Sequence, residues 1–242
     1  MTLSKTTMPL LLLLFSPIII ILFLHINIIL FTHLISRNDD VDSINKDILR
    51  QFPGEVQTFL SADSIKNNNG EGGQDVLMYP VEYLNTINCS GLPLHKLELK
   101  KGCPVMVLRN LNPEGGVCNG SRGIVTCYWN QVLEIRLITG QHAGETVFIP
   151  RIGIIPSETQ IPFEFCCLQF PIRLCFAMTI NKSQGQSVAH VGLNLRNSVF
   201  THGQFYVAIS QVTSVHRLKA IWDSSLSTAK TKNIVYPEVI ID

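Results

Sequence analysis

The tightest constraint on how this chain folds lies between Leu168 and Trp222, where the spacing of apolar residues changes repeatedly. Leu168, Phe170, Ile172, Leu174, Phe176 and Met178 alternate strictly, the period of a strand with one buried face. Thr179 is placed to cap a short helical turn carrying Lys182 and Ser183, and Gly185 to end it. Val191, Leu193 and Leu195 alternate again as a second strand. Phe205, Ala208, Ile209 and Val212 follow helical spacing, and Leu218 to Trp222 reads as a third strand. Strand, turn, strand, helix, strand predicts an α/β unit with a parallel sheet. Its polar loops gather at the carboxyl ends of the strands, where such sheets bind ligands.

Upstream the pattern differs. Asn38 is placed to cap a helix with Val41, Ile44 and Ile48 on its apolar face, and Pro53-Gly54 stops it. The pair Asp39-Asp40 at its start complements the helix dipole. Residues 66–74 contain no apolar side chain and read as a surface loop. From Lys96 onward everything reads as β: Val105 to Leu108, Ile124 to Tyr128, Leu133 to Ile138 and Thr146 to Ile149, with Asn119-Gly120 as a turn. Short strands joined by glycine turns predict a small barrel, with Trp129 read as a core residue ahead of the alternative that it stacks on a base.

A net charge of +1 leaves no global basic field, so any contact with nucleic acid has to be local. The seven cysteines form no CxxC pair and no Cys/His ligand spacing, so no metal site is expected and the thiols read as reduced. His190, His202 and His216 show neither triad nor metal spacing. No charged residue lies between Lys5 and Arg37. Taken literally, that run exceeds the roughly 20 apolar residues of a membrane span. Pro17, His25 and Asn27 interrupt it, and no small-x-small cleavage site follows.

The blocks TINKSQGQS (179–187) and GQFYVAISQVTS (203–214) resemble motifs V and VI of Pif-type superfamily-one DNA helicases, including those of Helitron transposons. The resemblance extends back through residues 149–156, 118–125, 99–111, 79–93 and 38–45, about four-fifths of the chain. It implies the carboxyl-terminal half of such a motor: a partial RecA-like lobe of parallel sheet, interrupted by the small SH3-like β-barrel called domain 2B. The implied division is a hydrophobic segment over 1–27, the first part of the lobe over 28–81, the barrel over 82–150 and the rest of the lobe over 151–242. Ile28 to Ile35 falls where the family has a buried strand, which leaves only Leu10 to Leu24 as surplus apolar sequence.

The resemblance also assigns residues. Thr179, Asn181, Lys182, Ser183 and Gln184 read as the motif V contact to single-stranded DNA. Gly185, Gln186, Tyr206 and Ser210 read as nucleotide-facing. Lys100, Lys101, Arg109 and Arg122 read as a basic rim on the barrel for single-stranded DNA, or equally as a solvated edge that deters strand pairing. The intact family uses ATP and Mg2+ held by a phosphate loop, and an arginine in motif VI that offsets γ-phosphoryl charge. These 242 residues contain no Gly-Lys pair, and Gln211 stands at the arginine position. Gln is neutral and cannot make a bidentate charged contact. The expectation is therefore a helicase portion that binds no ATP productively by itself and needs a first RecA-like lobe encoded upstream. Its partner is single-stranded DNA and its compartment the nucleus, with roles in repair, recombination, telomere maintenance or Helitron transposition. The alternatives are a non-enzymatic DNA-binding remnant and a membrane-tethered β-barrel interaction protein.

Overall fold

The computed structural model describes residues 31–66, 79–89, 91–156, 161–186, 188, 190–195, 199–221 and 233–236. The hydrophobic segment 1–27, positions 28–30, positions 67–74 of the expected loop, and Trp222 lie outside the described residues. Among the described residues no helix is long and apolar enough to cross a membrane.

The parallel sheet is present. Its strands are β1 (Phe31–Ile35), β12 (Ala177–Thr179), β13 (His190–Asn194) and β14 (Leu218–Ile221), in the order β12-β1-β13-β14. All neighbours run parallel. The registers align Met178, Leu34, Leu193 and Ala220 in one row across all four strands. Leu34, Met178, Val191 and Leu193 on that face are buried, and Ala208 of the helix α3 (Gln204–Ser210) packs into the same cluster. Burial of β1 also holds the His33 imidazole down at about 4.

Helix α1 (Asn38–Gln51) forms where expected but starts differently. Arg37 is the residue before its first turn, and no side chain caps it. Its deepest positions are Asn45 and Leu49, continued by Phe52 just past its end, one step round from the expected stripe of Val41, Ile44 and Ile48, which is only half-buried. Asn45 explains the rotation. Its Nδ2 donates to the Ala177 carbonyl (3.0 Å) and its Oδ1 accepts from the Ala177 N–H (2.9 Å). Strand β12 is an edge strand, and these are the two backbone groups it turns away from β1. A single amide thus closes the open edge.

Between α1 and β12 lies an antiparallel insertion. Strand β2 (Gln57–Leu60) pairs with β4 (Lys96–Leu99). Strands β3 (Ala62–Ile65), β10 (Phe165–Gln169) and β9 (Ile152–Ile154) form a second sheet, beside the short helix α2 (Val81–Leu84). A five-stranded sheet follows the order β11 (Ile172–Leu174), β5 (Pro104–Val107), β6 (Arg122–Tyr128), β7 (Val132–Leu137) and β8 (Thr146–Pro150). Its buried face carries Val105, Val107, Val125, Leu133, Ile135, Leu137 and Ile149. The same cluster includes Leu49 and Phe52 of the α1 end and Phe176 before β12, so insertion and lobe share one core. Phe52 and Phe176 rings lie 5.4 Å apart at that seam.

Three expectations are corrected. The alternating run from Leu168 to Met178 is not one strand. It breaks at Phe170-Pro171 and Cys175-Phe176 into β10, β11 and β12, which join three different sheets. Pro171 has no N–H to continue a ladder, and most of the residues from Phe165 to Met178 are covered whichever way they point. Gln169, Pro171, Cys175 and Ala177 are therefore buried along with the alternating positions, while Leu168 is exposed. On α3, Ile209 faces solvent and Gln204 is buried instead, its Oε1 accepting from the Phe200 N–H. Trp129 is also exposed, because it sits in the turn between β6 and β7. All seven cysteines are free thiols, and burial pushes Cys103 and Cys167 up to about 12.

Asn45→Ala should destabilise the fold by about 2–4 kcal/mol, because it strands two buried backbone groups. A denaturant midpoint that falls with unchanged slope is the expected outcome. An unmoved midpoint would mean that water replaces the amide freely.

Candidate nucleic-acid interface

The chain leaves the carboxyl end of β12 in one 3-10 turn, Ile180–Ser183. Ile180 is fully buried and anchors it. Ser183 is equally buried, and its hydroxyl donates to the Ile180 carbonyl at 2.6 Å. Ser183 thus uses its hydroxyl to fasten the turn, and its side chain is not presented at the surface. The residues between and after the anchors, Asn181, Lys182 and Gln184, are exposed, and Thr179 is half-buried. Gly185 closes the loop at a φ of +78°, open to L residues only with strain. Two internal anchors therefore present one cation, Lys182, at the carboxyl end of a parallel strand. Such a cation suits a phosphate oxygen.

Gln186 reaches toward the insertion. Its Nε2 donates to the Gly120 carbonyl (3.1 Å) in the insertion and reaches the Lys182 carbonyl at 3.4 Å. Its amide thus faces the β insertion.

Helix α3 packs against the 3-10 turn. Tyr206 and Ser210 are exposed on it, and the Ser210 hydroxyl donates to the Val207 carbonyl at 2.9 Å. Gln211 is buried at the helix end, its Nε2 donating to the same Val207 carbonyl (2.9 Å) and lying 3.2 Å from Ser210 Oγ. Its own carbonyl accepts from the Val188 N–H. Position 211 thus ends a helix and projects no charge.

The four expected rim cations separate. Lys100 is buried at 5% exposure, with its ammonium donating to the Phe52 carbonyl just past the α1 end. Arg122 is buried at 4% exposure beside the Cys175 thiol, and its Nε has no partner. Neither side chain reaches a rim: Lys100 answers a buried carbonyl, and Arg122 is packed into the core. Arg109 is half-buried and bonds the neighbouring Leu108 carbonyl. Lys101 alone is exposed, its ammonium 5.7 Å from the centre of the Tyr128 ring. Exposed Trp129 follows directly. A signal for Trp129 was present: the strands read from sequence end at Tyr128 and resume at Leu133, leaving it in the turn. Among the described residues no three His, Cys, Asp or Glu side chains converge as a metal ion would require.

Residues 82–128 match the family described as DNA helicase Pif1, 2B domain. The chain is 32% identical over 195 residues to the ATP-dependent DNA helicase PIF1 of Xenopus laevis, a match covering 78% of this chain and 27% of that protein. Against its Homo sapiens counterpart the identity is 29% over 191 residues, covering 78% and 26%. The chain thus spans about a quarter of the length of these relatives. Its fold is similar to that of Bacteroides Pif1 bound to single-stranded DNA, with TM-score 0.57, 25% identity, and coverage of 78% of this chain and 40% of that one. It is similar also to Pif1 helicases that unwind forked double-stranded DNA in coordinating pairs, with TM-score 0.58, 26% identity, and coverage of 79% and 39%.

The two adjacent lysines should respond differently to removal of charge. Lys100→Met leaves the Phe52 carbonyl buried and unpaired, and thermal unfolding should show a loss of about 1–3 kcal/mol. Lys101→Met, at the surface, should stay within about 0.5 kcal/mol. Equal losses would contradict the assignment.

Proposed function

We propose that this chain, which carries the carboxyl-terminal region of a Pif-type superfamily-one helicase, supplies the strand-holding part of a DNA motor. The observation that carries the proposal is Lys182, held exposed between buried Ile180 and Ser183 at the carboxyl end of β12. A fixed cation beside polar Asn181 and Gln184 suits the phosphates of single-stranded DNA without reading sequence. Lys101 with Tyr128 and Trp129 adds a second surface where a base can stack. Work in the nucleus, in repair, recombination, telomere maintenance or Helitron transposition, is the setting that this reading implies.

The residues present do not fit ATP and Mg2+ by themselves. There is no Gly-Lys pair to open a phosphate loop, and Gln211 is turned onto its own helix. We therefore derive no hydrolytic step from this chain. Turnover would require a first RecA-like lobe and a charge at position 211. The neutral Gln211 also favours a second reading, a DNA-binding remnant without motor activity.

The chain should bind oligo-dT weakly, with affinity falling steeply as salt rises. Lys182→Ala should weaken binding and reduce the logarithmic salt slope by about one. Binding indifferent to salt, or to Lys182, would sink the reading.

Position 211 is tested by joining this lobe to the first lobe of an active relative. With Gln211 the hybrid should bind DNA but barely turn over ATP. Gln211→Arg should restore hydrolysis by at least roughly a hundredfold, since an arginine finger typically contributes about 10³–10⁵. Equal turnover by both hybrids would show that position 211 faces no phosphate.

A further inference from the structure

We infer that Gln186 is a positioning residue, a strut that ties the loop presenting Lys182 to the Asn119-Gly120 turn of the β insertion. The inference rests on the function proposed above only where it concerns DNA.

The geometry is specific. One terminal amide lies between two carbonyl oxygens, that of Gly120, 66 positions back along the chain, at 3.1 Å and that of Lys182, four positions back, at 3.4 Å. Reversing the amide would set its oxygen against both, so the hydrogen-bond pattern fixes which end points inward. The cost is visible at the other end, where Gln186 Oε1 is buried without a partner. A side chain held with its acceptor unmet depends on its donor contacts for its place.

Both ends of the strut are stiff. The Gly120 N–H donates to Val107 O (2.8 Å), Asn119 N–H to Asn110 Oδ1 (2.8 Å), and Ser121 Oγ to Gly116 O (2.7 Å). Gly120 holds a φ of +90°, and an added Cβ would stand 3.5 Å from Gln186 Nε2. On the loop side the Gln186 N–H donates to Ser183 O (3.0 Å), and Ser183 is locked to Ile180. Lys182 sits inside that closed ring. A shift of the insertion is therefore delivered to the backbone of the residue bearing the exposed cation, and is not absorbed by a slack loop.

The test uses the full chain. Hydrogen exchange is followed over 110–121 and 179–186 in the unaltered protein and in Gln186→Ala, Gln186→Glu and Gln186→Lys. Gln186→Ala removes the donor, and Gln186→Glu sets an anion against two carbonyls, so both should speed exchange in the two segments by about tenfold while β6 and β7 stay protected. Gln186→Lys keeps a donor of similar reach and should restore protection. In oligo-dT titrations Gln186→Ala should lower affinity about threefold with the salt slope unchanged, because the cation is still present. A direct phosphate contact would flatten the slope, as expected for Lys182→Ala. Exchange equal in the unaltered protein and Gln186→Ala overturns the strut. Faster exchange with unaltered DNA affinity overturns its positioning role. A chain that binds no oligo-dT at all counts against the proposed function, while the exchange data still support or overturn the strut.

Discussion

The stretch from Phe165 to Thr179 has to leave one sheet, cross a second and enter a third, and everything else is arranged round that passage. Each crossing leaves backbone groups that no ladder can satisfy. Side chains supply the missing partners. Gln169, fully buried, donates to the carbonyls of Phe59 and His95 and accepts from the Phe170 N–H. Arg173 reaches Leu92 O and Asn88 Oδ1. Asn45 completes Ala177. These polar residues brace the insertion and the lobe each from within, and the apolar cluster that takes in Leu49, Phe52 and Phe176 makes the two one body.

This explains why half of the expected basic rim vanished. In a chain that changes sheet so often, long polar side chains are drawn inward to close gaps. Lys100 answers the carbonyl that ends α1, and Arg151 spans Leu60 O and Asn130 O while lying 4.9 Å from the Phe170 ring centre. Charge counted along a sequence overstates the charge that reaches solvent.

The sequence was legible wherever one period persists over one element. Strands β13 and β14, helix α1 and the hairpins of the insertion could be read from apolar spacing and glycine turns, whereas β1 was placed only by the family resemblance. Legibility failed where periodicity spans several elements. Leu168 to Met178 keeps a perfect alternation although three sheets share it, since a two-residue period survives a bend that preserves side-chain parity. The motif V positions were readable as a loop after a strand, but burial within it was not. Ser183 and Gln186 look as solvent-seeking as Asn181 and Gln184, and only the anchoring of Ile180 and the approach of Gly120 separate them.

The order of the sheet has a consequence for the birth of the protein. Strand β1 stands between β12 and β13, yet the edge that Asn45 grips is 132 positions further along the chain. At ordinary rates of synthesis, that interval lasts roughly 7–25 s. Throughout it, an apolar strand waits at the ribosome exit without either neighbour, while the antiparallel insertion is completed. Contacts so distant slow folding and prolong exposure. The parallel sheet is then the last part to close.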